Sequence, residues 1–305
     1  MKKPLITIAI ALFIFIMMFS GGYYAWNNTD PEKTCAQCHE VTPAHISWIS
    51  SAHASVKCIE CHGTAFSDGM KSLKEKTGMF FTHLNKDTRH SDIFITEKQR
   101  LDITGRCAEC HRAEHAGWLE SGHAANYRDI FMDKMHNASE KPYADCFRCH
   151  GMFYDGDINT LMSLDGDNPA EWYIKDKAQE DIPTITCLSC HKLHTPNPVS
   201  QKWVNTEIAP DLRAPATALY MRAEKMHIRT DKLIPVDMVM GDSIVASAKD
   251  PSTLLCQQCH APNYRHEVLS MDDRTPTGEH AGKSCLTCHS AHSMRTEIMP
   301  PVHKK

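Results

Sequence analysis

The chain has 305 residues, among them 14 cysteines and 20 histidines, and a formal net charge of −4 at neutral pH. A protein with no basic excess lacks the electrostatic footprint of a nucleic-acid binder, so that partner class is set aside. Fourteen cysteines beyond the cytoplasm could signal disulfides, but their spacing commits every one of them elsewhere.

In chain order, Lys2 and Lys3 precede an apolar run from Leu5 to Phe19, then Ser20-Gly21-Gly22 and Tyr23-Tyr24-Ala25-Trp26. One reading is a signal peptide cut after Gly22. The other is an uncleaved helix from Pro4 to Trp26, about 34 Å long at ~1.5 Å per residue. The lysines would then stay inside and the aromatic residues would form an interfacial belt. That clustering favours the anchor, so residues 1–30 are expected to hold the chain in the cytoplasmic membrane. No cysteine lies at the end of the run, which argues against a lipoprotein anchor.

Cys-x-x-Cys-His then occurs seven times: Cys35/Cys38/His39, Cys58/Cys61/His62, Cys107/Cys110/His111, Cys146/Cys149/His150, Cys187/Cys190/His191, Cys256/Cys259/His260 and Cys285/Cys288/His289. No cysteine is left over. Residues three apart share one side of a helical turn, so two thiols can meet the two vinyl groups of one porphyrin. The following histidine faces the iron. A redox-active pair or half a zinc site would not explain a histidine after all seven pairs. Seven covalently bound haem c groups are therefore expected. Their attachment takes place outside the cytoplasmic membrane, which puts the haem domain in the periplasm or extracytoplasmic space. Each haem adds two propionates against one ferric charge, so the oxidised holoprotein is more negative than its polypeptide.

There are about 44 residues per haem, too few for a protein core of ordinary size. The expected fold is mainly α with much irregular structure and little sheet, wrapped around seven haems, with one N-terminal transmembrane helix. The motif spacing is uneven, yet partial repeats appear. Trp48-Ile-Ser-Ser-Ala-His53 echoes Trp118-Leu-Glu-Ser-Gly-His123, and His191-Lys-Leu-His194 echoes His289-Ser-Ala-His292. Residues 151–183, rich in Gly, Asp, Asn and Pro, read as a long loop. They divide a four-motif domain, 31–155, from a three-motif domain, 156–305. Asp155-Gly156-Asp157-Ile158-Asn159 lacks the sixth-position glycine and twelfth-position glutamate of a calcium loop and reads as a solvated turn. The composition of Ala214–Lys232 predicts a helix carrying His227 and closed by Pro235.

Thirteen histidines remain for seven sixth-ligand positions, which suggests bis-histidine iron. His194 and His292 lie one turn from a motif histidine and cannot reach the other face of the same porphyrin, so each would serve a neighbouring haem. His53 and His280 each lie five residues before a motif. The candidate distal set is His53, His83, His123, His136, His194, His227, His280 and His292. His45, His90, His115, His266 and His303 come second. The 16 methionines read mainly as core filler.

From Cys35 to His62 the chain resembles the NapC/NirT family of membrane-anchored quinol dehydrogenases, to which the small subunit of cytochrome c nitrite reductase belongs. The likeness rests on one anchor helix, C-x-x-C-H-x-x-x-P from Cys35 to Pro43, and S-x-H-x-x-x-x-C-x-x-C-H from Ser51 to His62. It continues more weakly through Lys74, Gly78, the Glu97–Arg100 run and motif three, and covers about residues 5–150. The resemblance implies a pocket for menaquinol or a similar quinol beside haem one, with Lys74 in contact with the quinol. Two positions depart from the family: Val41 stands where the small subunit has a methionine ligand, and Phe81 where it has an acidic residue. Haem one would then use His39 and His83, and the proton acceptor would be His83, His90, Asp87 or Glu75.

Three functions follow. The first is an electron conduit from the quinol pool to a periplasmic or outer-membrane redox protein. The second is a terminal oxidoreductase of nitrogen compounds, although no Cys-x-x-Cys-Lys motif is present. The third is a soluble or extracellular wire subunit, which requires a cleaved N-terminus. Homo- or hetero-oligomeric assembly is left open.

Overall fold

A computed structural model describes residues 2–37, 41–63, 77, 78, 81, 84, 96–194, 217–223, 225–233, 237–240, 243–247, 250–260 and 283–293. The chain forms two compact units: Met1–Asp92 with Asn197–Arg213, and Ile93–Pro196 with Ala214–Lys305.

The first unit begins with α1, Lys2–Asn28. A helix that is apolar all round needs an apolar medium to cover it. The side chains from Ile6 to Phe19 are exposed, and the helix is long and apolar enough to cross a membrane. Its last carbonyls are met by polar side chains. Asn27 Nδ2 donates to Tyr23 O at 2.8 Å, Asn28 Nδ2 to Tyr24 O at 3.0 Å, and Thr29 Oγ1 to Ala25 O at 2.6 Å. These side chains satisfy acceptors that a helix end otherwise leaves open. Asp30 and Pro31 then start a short 3-10 turn, and α2 (Thr42–Ile49) and α3 (Cys58–His62) follow.

The second unit opens with α4, Glu97–Cys110, started by a reciprocal cap between Thr96 and Gln99. α5 (Arg112–Leu119), α6 (Tyr127–Phe131) and α7 (Lys134–Ser139) come next. Two apolar cores hold this unit together. The first gathers Tyr127, Phe131, Phe147, Ile158, Leu161, Met162, Trp172 and Ile174. The second gathers Met152, Phe153, Leu188, Leu219, Tyr220 and Leu233.

Two sequence expectations are corrected here. Residues 151–183 are not a long loop. They hold α8 (Ile158–Leu161), an antiparallel pair β1 (Met162–Ser163) and β2 (Tyr173–Ile174), and α9 (Lys177–Glu180). The polar residues that suggested a loop act as helix starts. The side chain of Asp157 accepts from Thr160 N, Asn168 from Ala170 N and Asp176 from Ala178 N. The short apolar stretches between them supply five of the eight buried residues of the first core.

Nor is Ala214–Lys232 a helix. Its described part is a hairpin, β3 (Ala218–Met221) with β4 (Met226–Arg229), in the register Ala218↔Arg229 to Met221↔Met226. Lys225 takes the positive φ of 52° that the tight turn needs. Tertiary contacts override the helical composition. Arg222 donates to the carbonyls of Tyr154 and Gly156 and lies 5.1 Å from the Phe147 ring, while Lys225 pairs with Asp155 at 2.8 Å. Tyr220 stacks on Phe153 with centroids 3.9 Å apart. A third hairpin joins β5 (Asp237–Met240) to β6 (Ser243–Ser247). α10 (Cys187–Cys190) and α11 (Pro251–His260) complete the described regular elements apart from short 3-10 turns. The fold is mostly helical, with much irregular structure and three small hairpins.

Candidate haem sites

Haem attachment needs two reduced thiols on one turn and an imidazole directly after them. Six motifs are fully described, and each carries the turn. The motif histidine amide bonds back to the first cysteine carbonyl at 2.9 Å in His111/Cys107, His150/Cys146, His191/Cys187 and His289/Cys285. Motifs two and six lie inside α3 and α11. None of the described cysteines is in a disulfide. Of motif one, Cys35 is exposed at the start of a 3-10 turn, while Cys38 and His39 fall outside the described residues.

The variable residues between the cysteines fasten some motifs to the cores. Phe147 puts motif four into the first core and Leu188 puts motif five into the second. In motif six Gln257 is buried beside buried Leu254 of the same helix. The other motifs lie nearer the surface of the polypeptide. Cys61 of motif two, Cys110 of motif three and Cys288 of motif seven are exposed, as Cys35 is. The physical reason lies in the residues between the cysteines. Ile59 and Glu60, Ala108 and Glu109, and Leu286 and Thr287 all stay outside the buried cores, so nothing draws those turns inward.

The motifs also meet one another. Thiols come into hydrogen-bonding contact between motifs three and five (Cys107, Cys187), four and six (Cys149, Cys259), and six and seven (Cys256, Cys285).

The motif histidines differ in burial: His62, His111 and His289 are exposed, whereas His150, His191 and His260 are partly buried. Iron takes a neutral imidazole, and burial favours that form. Burial, with the nearby His260, His136 and His123, lowers His150 to about 4. Burial likewise lowers His123, helped by His260, and His191, helped by His292 and His111.

The tryptophan–serine–histidine repeat is a structural repeat as well. Ser51 Oγ donates to Trp48 O at 2.8 Å and accepts from His53 N at 3.1 Å; Ser121 Oγ does the same with Trp118 O at 2.7 Å and His123 N at 3.2 Å. Each tryptophan nitrogen donates to a distant carbonyl, Trp48 to Val56 at 2.9 Å and Trp118 to Ile185 at 3.0 Å. One local device thus presents a partly buried histidine in each unit.

Among the other candidates, His136 is exposed on α7 near His150, and His194 is partly buried three residues after His191. His227 is buried on β4 and its Nε2 donates to Leu188 O at 2.6 Å, so that nitrogen is already engaged. His292 lies with its ring 6.0 Å from His191. His45, a second-tier candidate, has a buried Nε2 with no hydrogen-bond partner, and His115 packs near Trp118. Lys74, His83, His90, His266, His280 and His303 lie outside the described residues.

Sequence reading missed the arginines. Arg100 is fully buried, and its Nη2 donates to Glu97 at 2.9 Å and to Pro183 O at 2.8 Å. Its Nε and Nη1, and Nε of Arg148 in motif four, are buried without partners. Glu97 also accepts from Tyr127 at 2.5 Å, and burial and that carboxylate push the phenol far above its ordinary range. Buried guanidinium nitrogens need acceptors, and a haem propionate is an acceptor of the right charge. Only an atom-level structure could have revealed this, because a charged run such as Glu97–Arg100 reads as solvated surface. The reduced thiols, the repeated turn, the neutral imidazoles and these donors all fit covalent haem. When bound, the haem iron supplies one-electron chemistry.

Comparison with known proteins gives one family. The model for "Outer membrane cytochrome MtrC/MtrF-like, domains II/IV" matches residues 26–203, a stretch that includes the first five motifs. No curated protein and no solved structure matches. With more than half of its length matched and the haem-attachment turn recurring along it, the chain is a multihaem c-type cytochrome and belongs to the outer membrane cytochrome MtrC/MtrF-like, domains II/IV, family.

Proposed function

We propose that the protein is a membrane-anchored heptahaem cytochrome c that carries electrons from the quinol pool, through its haems, to a periplasmic or extracellular acceptor. The observation that carries this reading is the meeting of motifs three with five, four with six, and six with seven through their thiols. Haems fixed at those thiols would lie side by side, as electron transfer between them requires. The chain's own residues attach the haems and hold the buried imidazoles neutral.

The membrane end rests on α1. The family's name speaks of the outer membrane, but two lysines at the start of the helix and three aromatic residues near its outer end favour retention in the cytoplasmic membrane. Cys35 follows Trp26 by nine residues, so haem one would sit at the membrane surface. The NapC/NirT-like pattern from Cys35 to His62 supports a quinol there, with Lys74 contacting it and His83 ligating iron or taking the proton. The domain division proposed is an anchor at 1–30, four haems within 31–155 and three within 156–305.

The test is stopped-flow reduction of the detergent-extracted, oxidised protein by a menaquinol analogue. Fast haem reduction is expected, slowed at least about tenfold in Lys74→Ala, the loss of roughly one charge-assisted hydrogen bond. Intact haems that no quinol reduces would remove the quinol-dehydrogenase reading and favour a wire subunit fed by another protein.

A further inference from the structure

Two histidine pairs in the second unit bring a motif imidazole close to an imidazole from a distant segment. The rings of His123 and His260 have centroids 6.0 Å apart with planes 56° apart. Those of His191 and His292 are also 6.0 Å apart, with planes 17° apart. Both separations fall within the ordinary range of ring pairs and are wider than the closest stack, Phe153 on Tyr220 at 3.9 Å, so the case rests on which histidines are paired. A first-row metal holds an imidazole nitrogen at about 2.0–2.1 Å, so with about 1.1 Å from nitrogen to ring centre, two rings on opposite faces of one iron have centroids about 6.2–6.4 Å apart. Both pairs come within a few tenths of an ångström of that spacing. Each joins one motif histidine to one histidine from a distant segment.

We propose that His260 and His123 are the two axial ligands of the haem at motif six, and His191 and His292 those of the haem at motif five. The proposal rests on covalent haem at these motifs and adds which side chain closes each iron. Each distal ligand is held by its own backbone. Ser121 fixes the turn that presents His123, and the Ala291 backbone acts as a hydrogen-bond partner of the His123 ring. A backbone partner on the second ring nitrogen orients an axial histidine and raises its basicity. Ala291 is also the neighbour of His292, so the two sites share one strap. Gly117 on α5 lets that strap approach, since a Cβ there would collide with the His292 carbonyl oxygen. The haems at motifs five and six are thereby locked into one two-haem unit by residues just after motif seven and by the turn that follows α5.

The ring planes give the pairing a spectroscopic signature. Nearly parallel imidazoles yield a rhombic low-spin ferric signal in electron paramagnetic resonance, and strongly crossed ones a highly anisotropic signal with a large principal g value. The haem at motif five is therefore expected to be rhombic and the haem at motif six strongly anisotropic.

The test uses the oxidised holoprotein, with haem content per chain measured by pyridine haemochrome and by mass. His123→Met is expected to remove one anisotropic signal and His292→Met one rhombic signal, each replaced by a sulfur-to-iron charge-transfer band, with haem content unchanged. A double variant, Cys256→Ala with Cys259→Ala, removes the haem at motif six; adding His123→Met to it should then change no remaining signal. Signals of both types left intact by the single variants would overturn the proposal, as would conversion of the opposite type or a further change in the motif-six background. If the cysteine variant does not accumulate, Gly117→Ala decides instead: the rhombic signal of motif five should shift, and an unaltered spectrum would refute the shared strap. A haem content already below seven in the parent would instead count against the seven-haem reading.

Discussion

Phe147 lies between the two cysteines of motif four and is fully buried. Its ring centroid is 5.5 Å from Phe131 and 5.2 Å from Tyr154, and the Arg222 guanidinium lies 5.1 Å away. A buried phenylalanine hides about 200 Å², which at about 25 cal/mol per Å² is an upper value of about 5 kcal/mol. Phe147→Ala keeps the methyl group but leaves a cavity, so the expected loss is about 4 kcal/mol. Phe147→Leu retains most of the volume and should cost about 1–2 kcal/mol. Global unfolding of a protein with several bound cofactors is not two-state, so the assay is native-state hydrogen exchange resolved by mass spectrometry. Amides of α6 and of β1–β2 should lose protection by that free energy, while the haem at motif four stays bound because both cysteines are unaltered. A loss below about 1 kcal/mol in the alanine variant would refute the claim that this residue ties the motif to the core.

Three further outcomes are expected. Gly151, directly after the motif-four histidine, has φ +122°, and a Cβ there would come within 2.9 Å of Phe147 and Tyr127; Gly151→Ala should cost at least about 2 kcal/mol in the same exchange assay. Asp250 accepts from Ser252, from Thr253 N at 2.9 Å and from Ser284 Oγ at 2.9 Å, and those bonds lower its carboxyl to about 2. A carboxyl lowered on folding stabilises above its unfolded value and loses that contribution as pH falls through the folded one. Asp250→Asn should therefore cost about 1 kcal/mol near neutral pH, after solvent screening of an exposed group, and should remove acid sensitivity between about pH 4 and about pH 2. Exchange in peptides spanning 250–260 and 283–289 would show it, and an unchanged pH profile would count against this cap. Deletion of residues 2–28, with a cleavable export signal supplied, should move the protein from the membrane to the soluble fraction with haem content unchanged; continued membrane association would show that α1 is not the anchor.

The haem-binding character of the chain was legible because covalent attachment imposes a rigid local code. Cysteines three apart and a histidine after them can be read without knowing what surrounds them, and every described motif adopts the turn that the spacing requires. How deeply each motif sits was not legible, because Cys61 and Cys288 carry the same code as the partly buried Cys149 and Cys190. The difference comes from whether a Phe147 or a Leu188 between the cysteines finds a core to enter. The serine–histidine turns were legible for the same reason as the motifs, since Ser51 and Ser121 act on residues only three positions away at most. What failed was composition. Ala, Leu, Met, Arg and Glu in 214–232 favour a helix in isolation, but Arg222 and Lys225 reach the 154–156 turn and Tyr220 reaches Phe153, and those contacts select a hairpin. The Asp and Asn of 151–183 looked like loop residues because the side chain that starts a short helix also starts a solvated turn.

Which histidines meet was illegible for a deeper reason. His292 lies three residues after His289, yet its ring centroid is 6.0 Å from that of His191, about a hundred positions earlier in the chain. A histidine one turn beyond a motif is sterically barred from its own iron, so sequence excludes that haem and leaves every other one open. Only the fold chooses, here through a glycine at 117 that admits the backbone of residue 292. Which histidines come together is therefore decided by backbone straps between motifs, such as the one Gly117 admits, rather than by the order of the motifs.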